Sequence, residues 1–125
     1  MGEIREFDTG ATRDSDVGKY DYEGFMHPLV INRFAKYMHK HRTQQDGNLR
    51  DSDNWQNGMP TKECVKSIWR HFMDVWSINR GLTVIDFKTK EEVTMEEALC
   101  AIIFNANMIL LNLLKSKTSV QHGEL

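Results

Sequence analysis

The sequence predicts a mainly α fold: three helices, an ordered N-terminal arm, and a short extended or hairpin segment before the last helix. Three observations carry this reading. Apolar residues recur at spacings of three and four through residues 24–42 and again through 61–80, the mark of an amphipathic helix. Thr94 followed by Glu97 is a capping-box signature, and it opens the oily run "ALCAIIFNANMILLNLL". Only "LTVIDF" alternates over β-branched residues in the manner of a strand. The chain has 125 residues, 40% of them hydrophobic and 27% charged, the size and balance of one domain around one core.

The arm, residues 1–23, has few apolar residues and turn signals at Gly10 and Gly18. In the helix at 24–42, Met26, Val30, Phe34, Tyr37 and His41 share a stripe. Residues 43–60 form a loop longer than the roughly 2–8 residues usual between helices. It contains a tryptophan and several side chains that hydrogen-bond backbone, which favours order. A second helix, 61–80, starts with Thr61 as its expected N-cap, and Val65, Ile68, Trp69, Phe72 and Trp76 give it a broad apolar face. Gly81 suits the left-handed position after its end. Residues 82–93 are the extended or hairpin segment. The last helix, 95–115, is apolar nearly all round, which places it in the centre of a bundle or in a subunit interface. Two flanking helices hardly cover it, so a homo-oligomer is expected.

Several classes are disfavoured. A formal charge of −2 gives no long-range attraction for a nucleic-acid polymer or an anionic membrane surface. The opening "MGEIREFDTGATRDSD" is too polar for a secretory signal, and Glu6 stands where a myristoylation motif wants serine or threonine. No stretch is expected to reach the roughly 20 apolar residues of a bilayer span. Cys64 and Cys100 lie in helical, apolar surroundings without metal-finger spacing, so buried free thiols in a cytoplasmic protein are expected.

Four groups of residues carry candidate chemistry. His71 and Asp74 share a helical face and serve either as metal ligands and acid–base groups or as an intrahelical pair, with Arg70 as an alternative partner for Asp74. Asn105 lies with Glu97 and Asn112 on a polar edge of the last helix; it either reads a nucleobase or ties two helices together, and Glu97 is either catalytic or spent on its capping box. Lys36, His39, Lys40, His41 and Arg42, with Arg50, form a basic cluster that is either a solvated face or a phosphate site. In the arm, Arg13, Asp14, Asp16, Lys19 and Asp21 combine cations with acids that either hold a metal through oxygen ligands or cap turns.

Taken together, "GATRDSDVGKYDYEGF", "DSDNWQNGMP", "WRHFMDVW" and "EEALCAIIFNANMILL" resemble the phage proteins known as the dATP/dGTP diphosphohydrolase N-terminal domain family, over most of the chain. The resemblance implies a purine-nucleotide ligand gripped by Arg13, Lys19, Asn54, Trp55, Arg70 and Asn105. It also implies metal-assisted hydrolysis, with His71 and Asp74 as catalytic groups and Asp14, His71 and Asp74 around Mg²⁺ or Mn²⁺. In this chain Ala98 and Ala101 stand where many relatives carry histidine, and no Glu-x-x-Asp follows the last helix. That incomplete set, with the expected oligomer, supports an alternative: a phage sponge that sequesters a nucleotide-derived immune signal of the host, without turnover. Trp55 either stacks on a purine or pins its loop over the second helix.

Overall fold

A computed structural model describes residues 3–117 and is mainly helical. The described residues divide into two compact units where one domain is expected, one ending at His27 and one spanning Pro28–Lys117. In the first, strands β1 (Arg5–Glu6) and β2 (Thr12–Arg13) pair antiparallel, and α1 (Tyr22–Phe25) is a single turn capped by Asp21, whose Oδ1 accepts from the Gly24 amide at 2.8 Å. The turns at Gly10 and Gly18 are present, both with positive φ.

The second unit holds α2 (Pro28–Lys40), α3 (Thr61–Asn79) and α4 (Met95–Lys115). The continuous helix expected at 24–42 is broken at its start: Met26 is extended, and α2 begins at Pro28, whose ring disfavours helical backbone in the preceding residue while suiting a first helical position. At the start of α3, Pro60 takes the cap position expected of Thr61. Thr61 is instead the first helical residue, and its hydroxyl accepts from Asn112 of α4 at 3.1 Å. Residues 82–93 contain no strand. They form a tight turn closed by a lone bridge between Ile85 and Glu92, with Asp86 Oδ1 accepting from the amides of Lys88 and Thr89. Gly81, at φ 84°, makes the left-handed turn out of α3.

Helices α3 and α4 run antiparallel and form the core. Buried on them are the small side chains of Cys64 on α3 and Ala98 and Ala101 on α4, together with Met108. Cys64 and Cys100 are free and buried, as expected. Thr94 caps α4, its Oγ1 accepting from the Glu97 amide at 3.2 Å. The Glu97 carboxylate accepts from Lys40 of α2 at 3.0 Å, so the salt bridge to α2 is where this carboxylate is engaged. Arg33 of α2 pairs with Glu96 at 2.6 Å. Contrary to expectation, α4 is long and apolar enough to cross a bilayer by length and composition, with a mean hydropathy of 1.7 over its best window; residues 98–114 contain no charge, and the three asparagines among them lower the hydropathy too little.

Asn105 is the buried polar group of this core. Its Nδ2 donates to the Ala101 carbonyl at 2.8 Å and to Ser67 Oγ of α3 at 3.3 Å. Truncating it removes both side-chain bonds from a buried site, at a cost of about 1–3 kcal/mol. In urea denaturation Asn105→Ala is therefore expected to lower the midpoint clearly, while Asn107→Ala, at an exposed site on the same helix, leaves it nearly unchanged.

Candidate functional site

The stretch "DSDNWQNGMP" is ordered by local turns and by α4. Asn54–Asn57 form a short 3-10 helix, and Gly58, at φ 103°, closes it. From α4, the Asn112 amide donates to the Met59 carbonyl at 2.9 Å, Lys115 Nζ donates to the Gln56 carbonyl, and Phe104 meets the Trp55 ring edge-on at 6.1 Å between centroids. Trp55 therefore pins its loop on α4, and not on the second helix of the sequence reading.

Beside it, the chain leaving α2 is clasped to the loop. Arg42 Nε donates to the Arg50 carbonyl at 2.8 Å, and Arg50 Nη1 donates to the His41 carbonyl at 3.0 Å. Each guanidinium spends one N–H this way and keeps its remaining donors. A lone bridge between Thr43 and Leu49 closes the intervening hairpin.

Between α2, this loop and α4 lies a groove of about 690 Å³, within the range of small-molecule sites. Trp55, Phe104, Tyr37 and Met59 supply apolar and aromatic wall, Arg42 and Arg50 supply cationic groups, and His39, Asn54, Ser52 and Asp51 supply hydrogen-bonding groups. The Asn54 carbonyl accepts from Asn57 at 3.4 Å, which leaves the Asn54 amide N–H groups for a ligand.

A second recess, of about 180 Å³, lies between α2, α3 and the 82–93 turn. It holds His71 and Asp74, with Tyr37 and His41 shared between both cavities. His71 Nδ1 and Asp74 Oδ2 stand 3.9 Å apart, an ion-pair distance too long for a hydrogen bond. Burial lowers the His71 pKa, partly offset by the Asp74 carboxylate and aided by Arg70. Burial and the neighbouring Lys40 likewise lower that of His41, so both imidazoles are neutral at pH 7. Tyr37 is pushed up to about 12, chiefly by burial; its ring lies 4.5 Å from that of His41.

The other residues singled out from sequence are distributed differently. Arg70 is exposed on α3 and lines neither cavity. Asn105 is buried and bonded between helices. Arg13, Asp14 and Lys19 belong to the N-terminal unit, where the Asp14 carbonyl accepts from Arg5 Nε at 3.0 Å. Among the described residues no three His, Cys, Asp or Glu side chains are grouped to hold a metal ion. Two acids of the second recess are engaged elsewhere, Glu97 by Lys40 and Asp86 by its own turn. The sequence reading missed Tyr37, Met59 and Phe104 as groove residues; only the proximity of Phe104 to Asn105 in an otherwise aliphatic run marked it out.

No protein-family model matches the chain, and no curated protein or solved structure is similar to it.

The direction of the histidine shifts is testable. In an NMR titration the His71 midpoint is expected below the usual 6.5, and Asp74→Asn lowers it further, because that carboxylate is the group raising it. With folded pKa values depressed, the unfolded chain takes up protons first. These histidines thus favour the folded state above about pH 6.5, and that contribution falls away on acidification.

Proposed function

We propose that this chain binds a purine nucleotide, or a signal derived from one, in the groove beside Trp55. The observation that carries the reading is the convergence of Trp55 and Phe104 with Arg42 and Arg50 in one cavity of nucleotide size. A base stacks on the indole, a contact worth about 1–3 kcal/mol. The Asn54 amide reads the base edge, and the guanidinium forks take the phosphate oxygens in pairs. The resemblance to the phage dATP/dGTP diphosphohydrolase N-terminal domain family supports the same ligand class and adds Arg13, Lys19, Arg70 and Asn105 on motif grounds alone. A cytoplasmic setting, that of the host cell if the chain is phage-encoded, accords with such a ligand.

Whether the nucleotide is held or hydrolysed divides two readings. Sequestration without turnover, as an anti-defence sponge, accords with a groove rich in aromatic and cationic groups, while Glu97 and Asp86 of the neighbouring recess already have protein partners. Hydrolysis would use His71 and Asp74, with Mg²⁺ or Mn²⁺ polarising a phosphoryl group. The sharing of Tyr37 and His41 between the two cavities favours that reading, because it places the recess beside the groove. The residues present offer a poor cation site, since one imidazole and one carboxylate are all that remain uncommitted from the predicted set in this unit.

The deciding experiment incubates the purified chain with purine nucleotides and nucleotide second messengers, with and without Mg²⁺ or Mn²⁺, and identifies by mass spectrometry what is retained and what is released on heating. Intact ligand retained without metal is the expected outcome, with Trp55→Ala weakening binding about ten-fold. A product formed only with metal and lost in His71→Ala would establish hydrolysis. Absence of any retained or converted nucleotide would overturn both readings.

A further inference from the structure

On α3, Val65, Trp69, Phe72 and Trp76 follow one another at spacings of four, three and four, and all are exposed, Trp69 at 66%. On α4, Leu99, Ile103, Ala106, Leu110 and Leu113 repeat the same spacing and are also exposed, Leu113 at 60%. That alternation is the seam of a helix bundle, in which each side chain seats between those of a facing helix. At about 100° per residue, each stripe lies round its helix from the buried face by a similar angle and in the same rotational sense. Since α3 and α4 are antiparallel, equal rotation brings both stripes to one side of the hairpin. The opposite flank is where α2 docks: Cys100 is buried there, and Lys40 of α2 reaches Glu97 on that flank of α4.

We propose that this side is the interface of a two-fold dimer. The α3–α4 hairpins of two copies stack into a four-helix core, with the aromatic stripe of each α3 over the aliphatic stripe of the other copy's α4. A two-fold contact needs a self-complementary patch, and bulky indoles on one helix with Ala106 among the residues on the other provide it. The exposed stripe area is on the order of 800 Å² per copy, the amount that a standard specific interface buries on each side. Within the described residues no fully buried side chain is larger than Met108, so the hairpin's own core is thin and pairing enlarges it. A lipid surface fits less well, because a formal net charge of −2 gives no long-range attraction to anionic headgroups.

Sedimentation of the full chain tests this: one species of twice 14.6 kDa is expected. Trp69→Lys and Leu110→Lys, each on an exposed helical surface, shift it to monomer with helical circular dichroism retained. Phe87→Lys, exposed but off both stripes, leaves the dimer intact. The unsubstituted chain provides a check that needs no variant, since a dimer's Tm rises with protein concentration. A monomer with concentration-independent Tm, a dimer that survives both seam substitutions, or a monomer that floats with phosphatidylcholine vesicles would each overturn the proposal.

Discussion

The close approach of α3 and α4 is the constraint on which the second unit depends. Small side chains at Cys64, Ala98 and Ala101 let the helices meet, since interaxial distance follows the size of the contact residues. Asn105 then fixes their relative height, because its amide reaches Ser67 across the interface only at one register. With that register set, the far end of α4 comes level with the loop before α3. Asn112 and Lys115 take up loop carbonyls, and Phe104 receives Trp55. The groove wall is thus a by-product of how two helices pack.

This arrangement divides the labour among polar residues. Glu97 looks like a candidate for chemistry in the sequence and serves as a fastener to α2 in the fold, as Asp86 does within its own turn. Arg42 and Arg50 look like a solvated basic run, yet each is held by backbone carbonyls at the rim of the groove. Guanidiniums restrained before a ligand arrives lose less freedom on binding than free ones. The same clasp that orders the loop therefore prepares its cations for phosphate. The two imidazoles and Tyr37 add no charge of their own at neutral pH, so the charge of the adjoining recess comes from Lys40 and its carboxylates.

Local signals were legible where local physics decides. The threonine cap of α4, the Gly81 exit from α3, and the turns at Gly10 and Gly18 each depend on a few neighbouring residues, and the sequence reading found them. Pro28 was equally local; the apolar stripe running through Met26 and Val30 masked it. Asn54 and Trp55 could be singled out because an aromatic in a polar loop needs a reason. Phe104 and Tyr37 could not, because an aromatic on a helical stripe reads as core until the partner across the groove is known. Asn105 left two roles open in the sequence, and only its distance to Ser67 shows the tie between helices. The 82–93 segment had strand-like alternation and folds back on itself through the Ile85–Glu92 bridge, but it forms no longer ladder, as expected of an isolated and marginal hairpin.

The attachment of α2 has a consequence of its own. No residue of α2 is fully buried, and its cross-links to α4 are the Arg33–Glu96 and Lys40–Glu97 pairs, which keep substantial solvent exposure. Such pairs weaken as dissolved salt screens them, whereas the α3–α4 contact, being apolar, does not. One wall of the groove is thus fastened in part by exposed ion pairs, beside the half-buried Phe34, Tyr37 and Met38, and the other by packing alone. Added salt is then expected to loosen the attachment of α2 more than it loosens the helical hairpin.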